Sequence, residues 1–182
     1  SKKYTEDELV AHRRQWLKKN KDIYRVLEID GRVVGFINAF PFPDDTINHI
    51  LAGEIRIGDV PIEDLREYAP GLRTNVYLQT VGLHEDFQGE IKRKYGVYMI
   101  SGFCSLVNDL GRRGIELGSL FTRSDELDGI NLSYALGLKE YPVPGVDKIV
   151  FRLDFDDTKN VFLHEYQSNL EAYQVSQKEK AV

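Results

Sequence analysis

The 182-residue sequence contains one cysteine, one methionine, one tryptophan and six prolines. A lone cysteine, Cys104, excludes an intramolecular disulfide and a multi-cysteine metal site. It suits a reducing compartment, so a cytoplasmic location is expected. No stretch approaches the ~18–20 consecutive apolar residues of a spanning helix, and the opening Ser1-Lys2-Lys3-Tyr4 lacks the apolar core of a signal peptide, so no membrane association is expected. A basic excess is also missing: Lys+Arg 24 against Asp+Glu 29 gives a net charge of −5, which argues against a nucleic-acid binder. The four histidines show no metal-ligand spacing, and no metal is expected. Internal repeats and low-complexity segments are lacking too. What remains is a globular balance, with 42% hydrophobic and 29% charged residues. A chain of this length can bury about two-thirds of its unfolded surface.

Patterning predicts a mixed α/β chain, one sheet flanked by helices. Thr5 with Glu8 three residues on has the form of a capping box and starts a helix in which Trp16 is a core anchor. Strands follow over 24–29 and 32–40, joined by the hairpin signal Asp30-Gly31, and Pro41 and Pro43 end the second. Residues 44–73 are less regular, with a short strand near 54–57 and a short helix over 62–68. The longest clean apolar strand covers 75–83. A helix is predicted from about 97 to 112, with Val97, Ile100, Phe103, Cys104, Val107 and Leu110 at the helical period, so Cys104 reads as core packing. Then come a strand over 117–122, a helix over 127–136 stopped by Gly137, and strands over 138–143 and 148–155. A terminal helix begins at Asp156-Asp157-Thr158 and carries Phe162, Tyr166, Leu170 and Tyr173 on one face. That face must pack on the domain, on a second copy in a homo-oligomer, or on a protein partner. The expected division is a domain over 1–156, with an insertion at about 44–73, and an added helix and polar tail over 157–182.

The chemistry-bearing stretch is V-Y-L-Q-T-V-G-L-H-E-D-F-Q-G at 76–89, followed by Lys92-Arg93-Lys94 and Gly96. A buried strand running through a loop into a helix start presents orphan N–H groups and a positive dipole end to an anion. A glycine there lets a phosphate approach the backbone, and the three cations add charge. The bland reading is a solvated basic loop.

Four segments in order resemble the GNAT superfamily of acyl-CoA-dependent N-acyltransferases: L-E-I-D-G-R-V-V-G-F-I at 27–37, the 76–89 stretch, the long helix, and D-G-I-N-L-S-Y-A-L-G-L-K-E-Y at 128–141. The resemblance runs from about residue 5 to 155. It implies a GNAT-like sheet in which the strand at 78–83 splays from its neighbour and pairs with the pantetheine arm of acetyl-CoA through Val81, Gly82 and Leu83. It also implies a pyrophosphate loop of the form [QR]-x-x-G-x-[GA]. Arg93-Lys94-Tyr95-Gly96 matches it with Tyr98 where a small residue is usual. Gln88-Gly89 lies at the customary distance from the strand but lacks the second glycine. Lys92, Arg93 and Lys94 are the implied phosphate partners. The family's first strand is missing before Thr5, which leaves either a domain of a longer protein or a shortened variant.

The family often uses a tyrosine acid four residues before the glycine of its G-F/L-K-E segment. That position is Ser133, with Tyr134 one residue later, so either group, or no side-chain acid, serves. No base is legible: Asn75 stands near a family glutamate position, Gln79 can only hold a water, and His84 and Glu85 follow the strand. The acidic side chains Asp44, Asp45, Glu54, Asp59, Glu63, Asp64 and Glu67 form a rim that would attract a cationic amine, or a merely solvated insertion. The implied activity is acetyl transfer from acetyl-CoA to an amine acceptor in a ternary complex. The alternative is a GNAT-like interaction or CoA-sensing module without turnover.

Overall fold

The computed structural model describes residues 5–180. Helix α1 (Glu6–Lys19) opens on the expected capping box, Thr5 accepting from the Glu8 N–H while Glu8 reaches back to the Thr5 N–H. Strands β1 (Tyr24–Ile29) and β2 (Arg32–Pro41) form an antiparallel hairpin. Its turn places Asp30 at φ 51° and Gly31 at φ 76°, the left-handed pair that a two-residue loop requires. Helix α2 (Asp44–Leu51) and single 3₁₀ turns lead to β3 (Thr74–Leu83), which lies antiparallel to β2. Helix α3 (Gly89–Arg112) then crosses over to β4 (Leu117–Ser124), which runs parallel to β3. Helix α4 (Leu127–Ala135), the two-residue strand β5 (Lys139–Glu140), β6 (Ile149–Asp154) and helix α5 (His164–Lys180) complete the order. The sheet reads β1-β2-β3-β4-β6-β5, mixed around one parallel pair.

Two cores lie on the two faces of this sheet. On one, Met99, Phe103, Leu106 and Leu110 of α3 pack with Ile37, Val76, Leu120 and Tyr166. On the other, Trp16 of α1 is fully buried among Phe40, Phe42 and the α2 residues Ile47 and Ile50. Its ring meets Phe40 and Phe42 edge-on at 5.0 and 5.7 Å. Residues 44–73, expected as an irregular insertion, build much of this second core through Leu51, Ile57, Val60 and Leu65.

The terminal helix packs on its own chain. The Tyr166 hydroxyl donates to the Ile115 carbonyl at 3.0 Å and accepts from the Leu117 N–H at 2.7 Å. At Gly111 the two helices touch so closely that a Cβ would stand 2.7 Å from the Tyr166 carbonyl oxygen. Phe162 of the expected face stays exposed.

Several expected boundaries shift. No strand forms at 54–57, and the helix expected over 62–68 is a single 3₁₀ turn, Ile62–Asp64. The strand expected over 138–143 shrinks to two residues before Pro142 and Pro144. The largest shift is the start of α3, at Gly89 rather than near 97. Lys92, Arg93 and Lys94 are good helix formers, and one mid-helix glycine costs only ~1 kcal/mol. Burial of Met99 and Phe103 outweighs that cost, whereas Val97, read as apolar-face, is exposed. Cys104 is half-buried on α3, and burial raises its thiol above the usual range.

Candidate active site

The parallel pair at the centre of the sheet comes apart. β3 and β4 are in register at Val76–Leu120 and Tyr77–Phe121, and the pairing stops there. Beyond it β3 continues beside β2 to Leu83, and β4 continues beside β6 to Ser124. The split exposes the inner edges of both strands to a cleft of about 680 Å³. Backbone polarity along that edge follows from the outer pairing. The His84 N–H donates to the Val34 carbonyl at 2.8 Å, so residues 84, 82 and 80 bond to β2. By antiparallel alternation the N–H and C=O groups of Val81 and Leu83 turn into the cleft.

A bulge marks the point of separation. Asn38 faces Thr80 and Ala39 faces Leu78, so Gln79 is an extra residue in β3. Gln79 and Thr80 line the α3-side cleft and also a second pocket of about 380 Å³ on the α1 face, so the two pockets share these residues from opposite faces of the sheet. Arg13, Asn38, Tyr24 and Phe36 help to line the second pocket. Asn38 is 4% exposed, its Nδ2 donates to Gln79 Oε1 at 3.4 Å, and its Oδ1 has no partner. The Arg13 guanidinium lies over the Trp16 ring at 4.7 Å, with Nη1 buried and unpartnered. Sequence reading missed both residues. The signal for Asn38 was a polar residue inside the otherwise apolar run 33–42.

The basic segment is helix, not loop. Lys92 and Arg93, with Gly96 about one turn further along α3, line the cleft, whereas Lys94 points elsewhere, its ammonium 5.8 Å from the Tyr98 ring centre. The pyrophosphate-loop match at Arg93–Gly96 therefore falls inside the helix, where backbone N–H groups are already spent on intrahelical bonds. The orphan donors belong to the other match: Gln88 is the N-cap, its side chain makes no capping bond, and Gly89 turns the chain with φ 57°. Lys92 Nζ is paired with Asp128 of α4 at 2.9 Å across the cleft mouth.

The two candidate acids part company. Tyr134 does not line the cleft: its ring packs edge-on against Phe151, and its hydroxyl donates to Glu140. That bond to Glu140 raises the phenol above its usual range. Ser133 is the buried residue and lines the cleft, but its hydroxyl already donates to the Gly129 carbonyl at 2.8 Å. Proton-donating chemistry is thus not set up at either residue.

Asn75, His84 and the acidic rim do not line the cleft. Asn75 ties α2 to β4, donating to Asp44 at 2.7 Å and accepting from the Ser119 N–H at 2.6 Å. His84 sits in an exposed turn with Asp86 at 3.1 Å. Much of the acidic rim is engaged internally, Asp64 with Thr46 and Glu54 with His49. Among the described residues no group of His, Cys, Asp and Glu is placed to hold a metal, and no helix is long and apolar enough to cross a membrane.

No protein-family model and no curated protein matches the sequence. Among solved structures the chain is similar to the C-terminal condensation domain of Ebony in complex with beta-alanyl-dopamine, with a TM-score of 0.54 at 13% identity over 81% of this chain and 78% of that one. It is similar to Ard1 from Thermoplasma volcanium, with a TM-score of 0.49 at 14% identity over 85% and 82%. A third likeness is to the ribosomal-protein-alanine N-acetyltransferase from Brucella melitensis, with a TM-score of 0.47 at 18% identity over 80% and 78%. At such identities the likeness is one of fold.

Proposed function

We propose that this chain, whose fold is GNAT-like, is an N-acyltransferase that moves an acetyl or related acyl group from its CoA thioester to a primary amine. The observation that supports this most is the parting of β3 from β4, which leaves a cleft on the α3 face and a pocket on the α1 face that share Gln79 and Thr80. On this reading a thioester would enter from the α3 side and an amine from the α1 side, and their reacting atoms would meet at the bulge. The Val81 and Leu83 backbone groups would hold the pantetheine arm as an added strand, with Gly82 between them, as in other sheet-edge recognition. The N–H groups there would also polarise the thioester carbonyl. Phosphate charge would be met by the α3 N-terminus at Gln88–Gly89 and by Lys92 and Arg93.

In the reaction the amine nitrogen bonds to the thioester carbon, the C–S bond breaks, and the sulfur leaves as thiolate. The nitrogen loses one proton. Since neither Ser133 nor Tyr134 is poised as donor, juxtaposition of the two ligands supplies the rate and solvent carries the protons. A second reading, a CoA-binding module without turnover, draws on the same absence of an acid or base. Calorimetric titration with acetyl-CoA, followed by thiol-release assays with an amine series, separates them. Micromolar binding with turnover is expected. Binding without turnover on any amine would leave the second reading, and no binding would remove both.

A further inference from the structure

The α1-face pocket holds two polar groups that the fold leaves without partners. One is the Arg13 Nη1, buried, with the guanidinium stacked over Trp16 at 4.7 Å and within 5.6 Å of the Phe40 ring centre. No carboxylate among the described residues pairs with Arg13. The guanidinium is held by ring faces, and a guanidinium without a carboxylate partner matches an incoming carboxylate through its planar set of N–H donors. The other is Asn38 Oδ1, a buried acceptor in a side chain that gives one N–H to Gln79. A buried acceptor without a donor is destabilising, which an incoming N–H would offset.

Asn38 touches Gln79, which also lines the α3-side cleft, whereas Arg13 reaches the same pocket from α1. Between and beside them the hairpin supplies an apolar wall in which Val26, Val33 and Phe36 are 58%, 57% and 39% exposed. Resting on the acyl-transfer reading above, we infer that the acceptor is a free amino acid with an apolar side chain. Its amine lies at Asn38–Gln79, its carboxylate on Arg13 and its side chain on the hairpin wall. A bare cationic amine would face the Arg13 charge unopposed, and a peptide N-terminus would bring an amide where Arg13 offers a charge-assisted pair.

The experiment is binding of L-phenylalanine, L-phenylalaninamide and phenethylamine to the whole chain, followed by calorimetry, with acetyl-CoA titrated into the same preparations. The acid is expected to bind at least about tenfold more tightly than the amide or the amine, the scale of one charge-assisted pair. Arg13→Gln keeps a stem over Trp16 and is expected to abolish that preference, while Arg13→Lys restores part of it. Equal binding of the three ligands, or an unchanged preference in Arg13→Gln with wild-type thermal stability, would overturn the inference. Acid selectivity without any acetyl-CoA heat would remove the acyl-transfer reading, and with it the acceptor role. Acetyl-CoA binding without acid selectivity would remove this inference alone.

Discussion

Single side chains carry most of what can be tested about the cleft. Tyr134 donates to Glu140 outside it, so Tyr134→Phe is expected to leave acyl transfer within about twofold of wild type in a thiol-release assay. A loss of several hundredfold would mean that α4 rotates on ligand binding and delivers the phenol. Arg93 and Lys94 are neighbours with opposite prospects. Arg93 lines the cleft and Lys94 leans toward Tyr98, so Arg93→Ala should weaken acetyl-CoA by about tenfold and Lys94→Ala should not. Equal effects in calorimetry would argue for a diffuse field rather than a contact. This distinction was not legible in the sequence, where Lys92-Arg93-Lys94 reads as one basic run. Only the helical rotation of ~100° per residue separates the three.

At the scale of elements, the sequence made the succession of most strands along the chain and the hairpin readable because apolar alternation and Asp30-Gly31 are local signals. The start of α3 was not readable, because cations and a glycine mark loops by composition while helix formation here depends on Met99 and Phe103 meeting the sheet. The bulge at Gln79 was hidden as well, since an extra residue shows only against its partner strand. Gly96 ties α3 to the cleft. A Cβ there meets nothing within 4 Å, and the position lines the cleft. Gly96→Ala should stabilise the helix by up to about 1 kcal/mol while placing a methyl on the cleft wall. A higher melting temperature with weaker acetyl-CoA binding is expected. A higher melting temperature with unchanged affinity would mean that the ligand does not pass over this residue.

For the whole molecule, α5 closes one core through Tyr166, whose hydroxyl satisfies both Ile115 and Leu117. Tyr166→Phe leaves a buried donor and a buried acceptor unpaired and should cost about 1–3 kcal/mol in denaturant unfolding. Burial pushes the Tyr166 phenol up to about 12 from an ordinary 10, so the folded state holds its proton where the unfolded chain has released it. Stability should therefore fall between about pH 10 and pH 12, by at most about 1.4 kcal/mol per unit from this group, and Tyr166→Phe should flatten part of that slope. An unaltered slope would assign alkaline unfolding elsewhere, Tyr68 being the other phenol raised strongly by burial. The pockets on the two faces of the sheet bear on the order of events in the proposed transfer. An acyl donor and an amine entering from opposite faces would not obstruct each other's exit, so neither would have to arrive first or leave last. Free CoA should then inhibit competitively against acetyl-CoA and non-competitively against the acceptor, and the acylated product should show the mirror pattern.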